Sequence, residues 1–229
     1  MTTTLITGAN KGLGYETARR LSGAGQDVWI AARDDRRGQA AADELGARFV
    51  RMDVTDDLSV ATAVDAVRTA AGHVDVLVNN AGILGPRKPA AETAAADVRE
   101  AFETNVLGVV RVTHAFLPLL ETSDAPQVIN VTSGLGSFTL ITETEWGRFG
   151  TLAYSSSKAA LTMLTVQYAR AIPAIRFNAV DPGYTGTDFN GHRGTQTVQE
   201  GTDRIVTLAQ LGAGAPTGTF SDRNGTVPW

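Results

Sequence analysis

Tyr154 and Lys158 are the pair of side chains in this sequence with the clearest capacity for chemistry. They stand four residues apart in the segment YSSSK, and on a helix such residues share one face, with Cβ atoms about 5–6 Å apart. A neighbouring ammonium favours the phenolate and lowers a phenol pKa that is about 10 in isolation. We therefore expect Tyr154 to exchange a proton near neutral pH as a general acid or base. The same spacing also occurs by chance in solvated surface pairs. The rest of the sequence must therefore show whether this pair is catalytic.

Lysine is rare in this chain, which makes its positions informative. The sequence has three lysines, Lys11, Lys88 and Lys158, among 20 basic residues. Lys11 and Lys158 both fall inside candidate motifs. A compact ammonium is not interchangeable with a guanidinium, so we interpret these two lysines as functional rather than as ordinary surface charges.

A glycine-rich segment follows the first predicted strand and opens the first predicted helix. Thr7–Gly14 reads TGANKGLG. Glycine lets the backbone turn sharply and approach a phosphate closely, and the helix N-terminus offers free N–H groups and a positive dipole to it. The position at the start of a βαβ unit favours pyrophosphate binding over a plain turn.

The composition excludes several classes of protein. The chain has 229 residues, 43% hydrophobic and 19% charged, with a net charge of −4. These values are typical of a globular protein, and they argue against nucleic acid or an anionic membrane as partner. There are no cysteines, and the histidines have no metal-ligand spacing, so we expect no metal site. We find no signal peptide or membrane-length apolar run, and therefore expect a cytoplasmic protein.

Short apolar runs alternate with helical patterns along the whole chain. The predicted strands are Thr4–Thr7, Asp27–Ala31, Arg48–Met52, Val74–Asn79, Gln127–Val131 and Arg176–Val180. The predicted helices are Gly14–Gly23, Arg37–Leu45, Leu58–Ala71, Val98–Leu120 and Leu152–Ala171. Near-continuous hydrophobicity is typical of parallel strands buried on both faces. The alternation predicts an α/β fold, a single Rossmann-type domain over residues 1–229 with a doubly wound parallel sheet between two helical layers.

Two long segments interrupt this alternation, Gly134–Gly150 and Asp181–Gly194. Both follow predicted strand C-termini, where open α/β sheets bind their ligands. Long loops in compact domains are usually functional or disordered, and we favour a function here. The candidates for an apolar substrate pocket are Leu135, Trp146, Tyr184 and Phe189.

Several further motifs accompany the glycine segment in a fixed order. They are Asp53 after the third strand, Asn79–Gly82 at the fourth, Asn105 in the next helix, Ser133 at the fifth strand, then Tyr154, Lys158 and Pro182–Thr187. In this order, and with the glycine spacing Gly-x-x-x-Gly-x-Gly, the chain resembles the short-chain dehydrogenase/reductase family over essentially its whole length. Within the family it is most similar to the carbonyl reductases, in the segments Gly8–Gly12, Ala32–Asp34, Asp75–Gly82 and Val227–Trp229.

One feature departs from the carbonyl reductases. Ser133 and Tyr154 are 21 positions apart, more than in typical tetrameric members of the family. Mammalian carbonyl reductases have a much longer insertion here, associated with a monomeric state. The resemblance therefore leaves open whether the protein is a monomer or a homo-oligomer.

The resemblance implies a role for each catalytic position. Tyr154 would protonate the carbonyl oxygen as hydride arrives from the nicotinamide, and Ser133 would donate to the same oxygen. Lys158 would lower the tyrosine pKa and bind the nicotinamide ribose. Asn105 would hold a backbone distortion and a water that leads to Lys158. Simpler roles stay open: Ser133 as a strand-end cap, Asn105 as a solvated helix residue, and Asp53 as a helix cap.

The resemblance also implies the contacts with a dinucleotide. Asp53 and Val54 would meet the adenine, Asn80–Gly82 would flank the adenosine ribose, and Pro182–Thr187 would bind the carboxamide. The full set of expected contacts is Gly8, Asn10, Lys11, Gly12, Leu13, Gly14, Arg33, Asp53, Val54, Asn80, Ala81, Gly82, Tyr154, Lys158, Pro182, Gly183, Thr185 and Thr187.

The charges at the end of the second strand bear on the choice of cofactor. A binder of NAD usually has an acidic residue there for the 2′-hydroxyl, which a cation replaces in a binder of NADP. The strand ends in Ala31-Ala32-Arg33, so Arg33 and Lys11 could bracket a 2′-phosphate. Asp34 is the counter-argument, since it could face a ribose. Two cations against one acid favour NADP(H).

The sequence as a whole predicts an NADPH-dependent reductase of ketones or aldehydes that acts on a small molecule. A 3-oxoacyl-thioester reductase of the same family shares every catalytic motif and stays an alternative. A third alternative is a protein that senses NADP(H) without turnover, although such proteins typically lose one of the catalytic residues. All four catalytic positions are filled here.

Overall fold

A mainly parallel sheet forms the centre of the computed structural model, which describes residues 1–145, 148 and 151–229. Within these residues the strand order is β3-β2-β1-β4-β5-β6-β7-β8. Neighbouring strands from β3 to β7 pair in parallel, and β8 pairs antiparallel with β7. The strands are β1 (Thr3–Thr7), β2 (Asp27–Ala32), β3 (Arg48–Arg51), β4 (Val76–Asn79), β5 (Gln127–Val131), β6 (Arg176–Val180), β7 (Thr219–Asp222) and β8 (Gly225–Thr226).

Helices cover both faces of this sheet. They are α1 (Gly12–Gly23), α2 (Asp35–Leu45), α3 (Asp57–Ala71), α4 (Ala95–Phe102), α5 (Gly108–Leu120), α6 (Phe138–Glu143), α7 (Leu152–Ala171) and α8 (Val198–Gln210). One buried core packs α3, α5 and α7 on one face, and a second packs α1, α2 and α8 on the other. Because side chains alternate along a strand, Leu5 enters the first core and Ile6 the second. The expected doubly wound α/β/α fold is confirmed.

Most predicted elements lie where the periodicity placed them. The bounds of β5, β6 and α7 agree with the predictions, whereas β4 begins at Val76 rather than Val74. The reason is that the Val74 N–H donates to Leu119 O at the end of α5, 3.0 Å away, instead of joining the sheet. The helix predicted over Val98–Leu120 begins at Ala95 and is interrupted by a π-helical turn at Glu103–Leu107.

The C-terminal elements and α6 were not predicted. Helix α8 carries a signal that could have revealed it, the capping box formed by Thr197 and Glu200. The Thr197 N–H donates to Glu200 Oε2 (2.9 Å) and the Glu200 N–H donates to Thr197 Oγ1 (3.2 Å), as the pattern Thr-x-x-Glu favours. Strand β7 is short and half polar, and therefore lacks the apolar run that marked the others.

No helix in the described part of the chain is both long and apolar enough to cross a bilayer.

Gly38 allows α2 to pack closely on β3, which gives a test of the packing. An added Cβ there would lie 2.1 Å from Phe49 Cε2. We expect Gly38→Ala to lower the free energy of unfolding in urea by about 1–3 kcal/mol, because the ring must leave its position. Gly23→Ala, at the end of α1 with open space around it, is the matched control and should cost little. Equal stability of the two variants would contradict the packing described.

Candidate active site

A cleft of about 1350 Å³ opens at the carboxyl ends of the parallel strands. Loops from the ends of β1 to β6 line it, as expected for an open α/β sheet. Most of the candidate residues lie on its walls: Gly8, Asn10, Lys11, Gly12, Leu13, Arg33, Asp53, Val54, Asn80, Ala81, Gly82, Ser133, Leu135, Tyr154, Lys158, Pro182, Gly183, Tyr184, Thr185, Thr187 and Phe189. Gly14 and Asn105 are buried behind the walls. Trp146 lies outside the described residues.

The glycine segment forms a tight turn between β1 and α1. Gly8 and Gly12 have φ of 65° and 58°, a left-handed conformation that favours glycine. A Cβ on Gly14 would lie 2.5 Å from Asn80 Nδ2, which itself donates to Thr7 O at 2.8 Å. Lys11 is the N-cap of α1 and makes no side-chain capping bond. The backbone N–H groups in the first turn of α1 therefore remain available to an anion.

Arginines surround the end of β2. Arg33 follows the strand, and Arg37 in the first turn of α2 lines the same wall of the cleft. Asp34 is the N-cap of α2, and its Oδ1 accepts from the Arg37 N–H at 2.9 Å. Arg37 is absent from the contacts predicted above, although the pair Arg36-Arg37 at a helix start is a visible signal.

Lys11 forms an ion pair that the sequence did not predict. Its Nζ lies 3.1 Å from Asp188 Oδ2, in the loop after β6. Both side chains of this ion pair are more than half exposed, and Lys11 and Arg33 line the same cleft. The bracket of Lys11 and Arg33 around a 2′-phosphate stays a prediction. Asp188 is 177 residues away from Lys11 in the chain, so sequence spacing could not reveal the pair.

Asp53 stands at the end of β3 with its side chain held in a local turn. Its Oδ1 accepts from Thr55 N (2.9 Å) and Thr55 Oγ1 (2.7 Å). Burial raises the pKa of Asp53, but these hydrogen bonds and the charge of Arg33 outweigh it and hold that pKa below its usual value. Asp56, not Asp53, is the N-cap of α3.

Helix α7 places Tyr154 and Lys158 side by side at the base of the cleft. Both are buried, and Lys158 Nζ lies 5.7 Å from the centroid of the Tyr154 ring. The ammonium donates to Val131 O, at the end of β5, at 2.9 Å. The Ser133 side chain lies near enough to Tyr154 to act on its pKa as a hydrogen-bond donor. Ser133 Oγ also accepts from the Leu135 N–H at 3.2 Å, so the serine caps its turn as well as facing the tyrosine.

Burial controls the titration of this pair. It raises the pKa of Tyr154, an effect that the Ser133 hydrogen bond opposes and the negative charge of Asp181 reinforces. Burial lowers the pKa of Lys158 to about 8, against the effect of Asp181. The pKa of Tyr154 is thus raised overall, because the lost hydration of a phenolate is the largest effect. That Lys158 lowers the tyrosine pKa stays a prediction.

Asn105 lies in the π-helical turn between α4 and α5 and is fully buried. Its Oδ1 accepts from the Ile83 N–H, and its Nδ2 donates to Ile83 O and to Ser157 Oγ, each at 2.9 Å. Ser157 in turn donates to Tyr154 O at 2.7 Å. The simpler interpretation of Asn105 as a solvated helix residue is wrong, since the amide joins the segment after β4 to α7.

An aromatic side chain lies beside the tyrosine in the cleft. The Phe189 ring lies 5.9 Å from the Tyr154 ring, tilted by 59°. Leu135 and Tyr184 line the same cleft. Across the described residues, no cluster of His, Cys, Asp or Glu could hold a metal ion.

Comparison with known proteins identifies the family. The family model for short chain dehydrogenase matches residues 2–197. The chain belongs to the short-chain dehydrogenase family. Its members are oxidoreductases that act on carbonyl and alcohol groups.

Individual relatives match over nearly the whole chain. Short-chain dehydrogenase/reductase 1 of Saponaria officinalis is 33% identical over 288 residues, covering 98% of this chain and 95% of that protein. The (+)-neomenthol dehydrogenase of Capsicum annuum is 30% identical, covering 94% of each. Because these alignments are longer than the 229 residues present here, the relatives have inserted residues that this chain lacks.

Solved structures share the fold. An NADPH-bound carbonyl reductase from chicken fatty liver has a TM-score of 0.89 with 27% identity, covering 100% of this chain and 99% of that one. Salutaridine reductase from Papaver somniferum has a TM-score of 0.84 with 26% identity, covering 97% of this chain and 100% of that one.

The lowered pKa of Lys158 predicts a pH dependence of stability. Between the folded pKa of about 8 and the unfolded value of 10.5, the unfolded chain binds the proton and the folded chain does not. The free energy of unfolding should therefore rise with pH from about 8 to 10, by at most about 1.4 kcal/mol per unit. Urea titrations should show this slope in the wild type and not in Lys158→Met.

The matched control for this prediction is Lys88→Met, which removes a lysine paired with Asp97 away from Tyr154. It should keep the slope of the wild type. Identical slopes for Lys158→Met and the wild type would contradict the titration described.

Proposed function

We propose that the protein is an NADPH-dependent reductase of ketones or aldehydes that also runs in reverse as an alcohol dehydrogenase. The observation that carries this proposal is that Ser133, Tyr154 and Lys158 line the same cleft, with Lys158 Nζ 5.7 Å from the centroid of the Tyr154 ring. A proton donor, a second hydrogen-bond donor and a cation meet there. These groups match the needs of a carbonyl oxygen that becomes a hydroxyl.

The cleft residues fit a nicotinamide dinucleotide. The loop at Gly8 packs closely on Ala81, and a Cβ added to Gly8 would lie 3.0 Å from Ala81 Cα. The first turn of α1 offers its N–H groups to a pyrophosphate. Asp53, Val54 and Asn80–Gly82 would hold the adenosine end, with Pro182–Thr187 at the carboxamide. When bound, the cofactor supplies the hydride that reduces the carbonyl carbon.

The protein's own side chains donate the proton and stabilise the carbonyl oxygen that receives it. Tyr154 donates its phenolic proton to the carbonyl oxygen, and its raised pKa keeps that proton in place at neutral pH. Ser133 donates a second hydrogen bond to the same oxygen as negative charge develops. Lys158 is available to bind the ribose of the nicotinamide, and Asn105 holds the tyrosine's helix through Ser157. In the reverse direction Tyr154 must accept the proton, which higher pH favours.

The preference for NADPH follows from the end of β2. Arg33 and Arg37 line that wall of the cleft, and the Asp34 carboxylate is already occupied by the first turn of α2. Asp34 lines the same cleft and its Oδ2 lies 3.7 Å from Arg37 Nε. The two arginines and this one acid leave a net positive charge, which favours a 2′-phosphate over a 2′-hydroxyl. The NADPH bound in the chicken carbonyl reductase supports the same choice.

The substrate would lie between Tyr154 and the apolar wall. Phe189, Leu135 and Tyr184 offer ring faces and methyl groups rather than charge at this position. We therefore propose an apolar, cyclic or aromatic carbonyl compound. The relatives named neomenthol dehydrogenase and salutaridine reductase support this class.

Replacing the tyrosine tests the mechanism. Tyr154→Phe removes the proton and should lower kcat for NADPH-dependent ketone reduction by at least about 100-fold, while NADPH binding followed by fluorescence changes little. Tyr168→Phe is the control on the same helix, since Tyr168 stacks on Phe177 in the core. Wild-type turnover by Tyr154→Phe would disprove the mechanism.

Replacing the arginines tests the cofactor. Arg33→Ala and Arg37→Ala should each raise KM for NADPH by about 10- to 100-fold, because each removes a charge-assisted hydrogen bond. KM for NADH should hardly change. Arg36→Ala, which removes the neighbouring charge outside the cleft, is the matched control. A wild-type enzyme that prefers NADH in initial rates would overturn the assignment.

A further inference from the structure

Asp181 is a carboxylate at the active site that the mechanism above does not use. It follows β6 directly, and its backbone N–H donates to Ser221 O in β7 at 3.0 Å. Its side chain is half-buried and turns back to accept from the Gly183 N–H at 2.9 Å. It is therefore held firmly at the base of the loop that begins with Pro182.

The same carboxylate lies against the turn that contains the candidate catalytic serine. A Cβ added to Gly134, the residue after Ser133, would lie 2.7 Å from Asp181 Oδ2. Glycine at 134 is thus what lets the carboxylate reach the backbone of this turn. Asp181 joins the turn after β5 to the turn after β6. The candidate active site lies between these two turns.

The titratable groups around Asp181 come from two elements. Tyr154 and Lys158 face it from α7, and Asp222 faces it from β7. Burial raises the pKa of Asp181, and Asp222 adds to that rise. The N–H groups of Gly183 and Gly134 and the cation of Lys158 oppose it. The carboxylate does not line the cleft, so it acts from behind the reacting groups.

We propose that Asp181 is a positioning residue, which fixes the Ser133 turn against the Pro182–Gly183 turn and provides a counter-charge to Lys158. This proposal rests on the reductase function proposed above. Without the carboxylate, Ser133 loses its fixed place beside Tyr154, and the Tyr154–Lys158 pair loses the negative charge that keeps both of its protons bound.

The test is Asp181→Asn, which keeps the size of the side chain and removes the charge. Ketone reduction with NADPH should show a kcat lowered by about tenfold or more and a KM for NADPH changed by less than about threefold. The alkaline decline of kcat should begin at lower pH, because Lys158 and Tyr154 both lose their protons more easily. A loss of global stability alone would not shift that profile.

Three further variants complete the experiment. Asp222→Asn removes a nearby carboxylate that bonds its own turn, at Asn224 N and Gly225 N, and should keep kcat within about twofold. Asp181→Asn should lower kcat much less in a Ser133→Ala background than in the wild type. The reason is that both substitutions remove the effect of the Ser133 side chain. Gly134→Ala pushes the Asp181 carboxylate away but keeps its charge, so kcat should fall without a shift of the alkaline pH profile. This variant replaces Asp181→Asn if Asp181→Asn does not fold.

Wild-type kcat with an unshifted pH profile in Asp181→Asn, or wild-type kcat in Gly134→Ala, would overturn the role of Asp181 and leave the reductase intact. A wild-type protein that reduces no carbonyl compound with NADPH would overturn both proposals.

Discussion

The close packing of helix α7 on the end of β5 is the contact on which the site depends. Gly136 makes it possible, since a Cβ there would lie 2.7 Å from Ala159 N and from the carbonyl carbon of Lys158. Thr132 Oγ1 donates to Lys158 O at 3.1 Å, and the lysine ammonium donates to Val131 O. Ser133 belongs to the same chain segment, so the packing that anchors the helix also sets the distance from serine to tyrosine.

That packing buries the Lys158 ammonium, which is electrostatically unfavourable. A backbone carbonyl group offsets part of this cost by accepting a hydrogen bond from the ammonium. A buried ammonium is unfavourable unless it is hydrogen-bonded, and Lys158 donates to the carbonyl oxygen of Val131, which carries no net charge. Its pKa falls to about 8 as a result. The same low polarity that makes the lysine lose its proton easily makes the tyrosine keep its own. The two groups therefore titrate further apart than they would in water.

The sequence was most informative where a signal is local. The uninterrupted helical pattern gave the bounds of α7, and with them the shared face of Tyr154 and Lys158. Continuous apolar runs likewise gave β5 and β6. Burial was not visible in the same way, and it is burial that raises the pKa of Tyr154. The pairing of Lys11 with Asp188 depends on tertiary structure, and β7 is too short and polar for a pattern to reveal it.

The π-helical turn at Glu103–Leu107 ties Asn105 to the hydrophobic core. Such a turn has one residue more than an α-helical turn, and one residue corresponds to about 100° of rotation about a helix axis. The extra residue therefore decides which face of α5 points inward, where Val112 and Phe116 are fully buried. Losing a residue from this turn would rotate those side chains out of the core as well as displace the asparagine. The same turn thus couples the placement of a candidate catalytic residue to the integrity of the hydrophobic core.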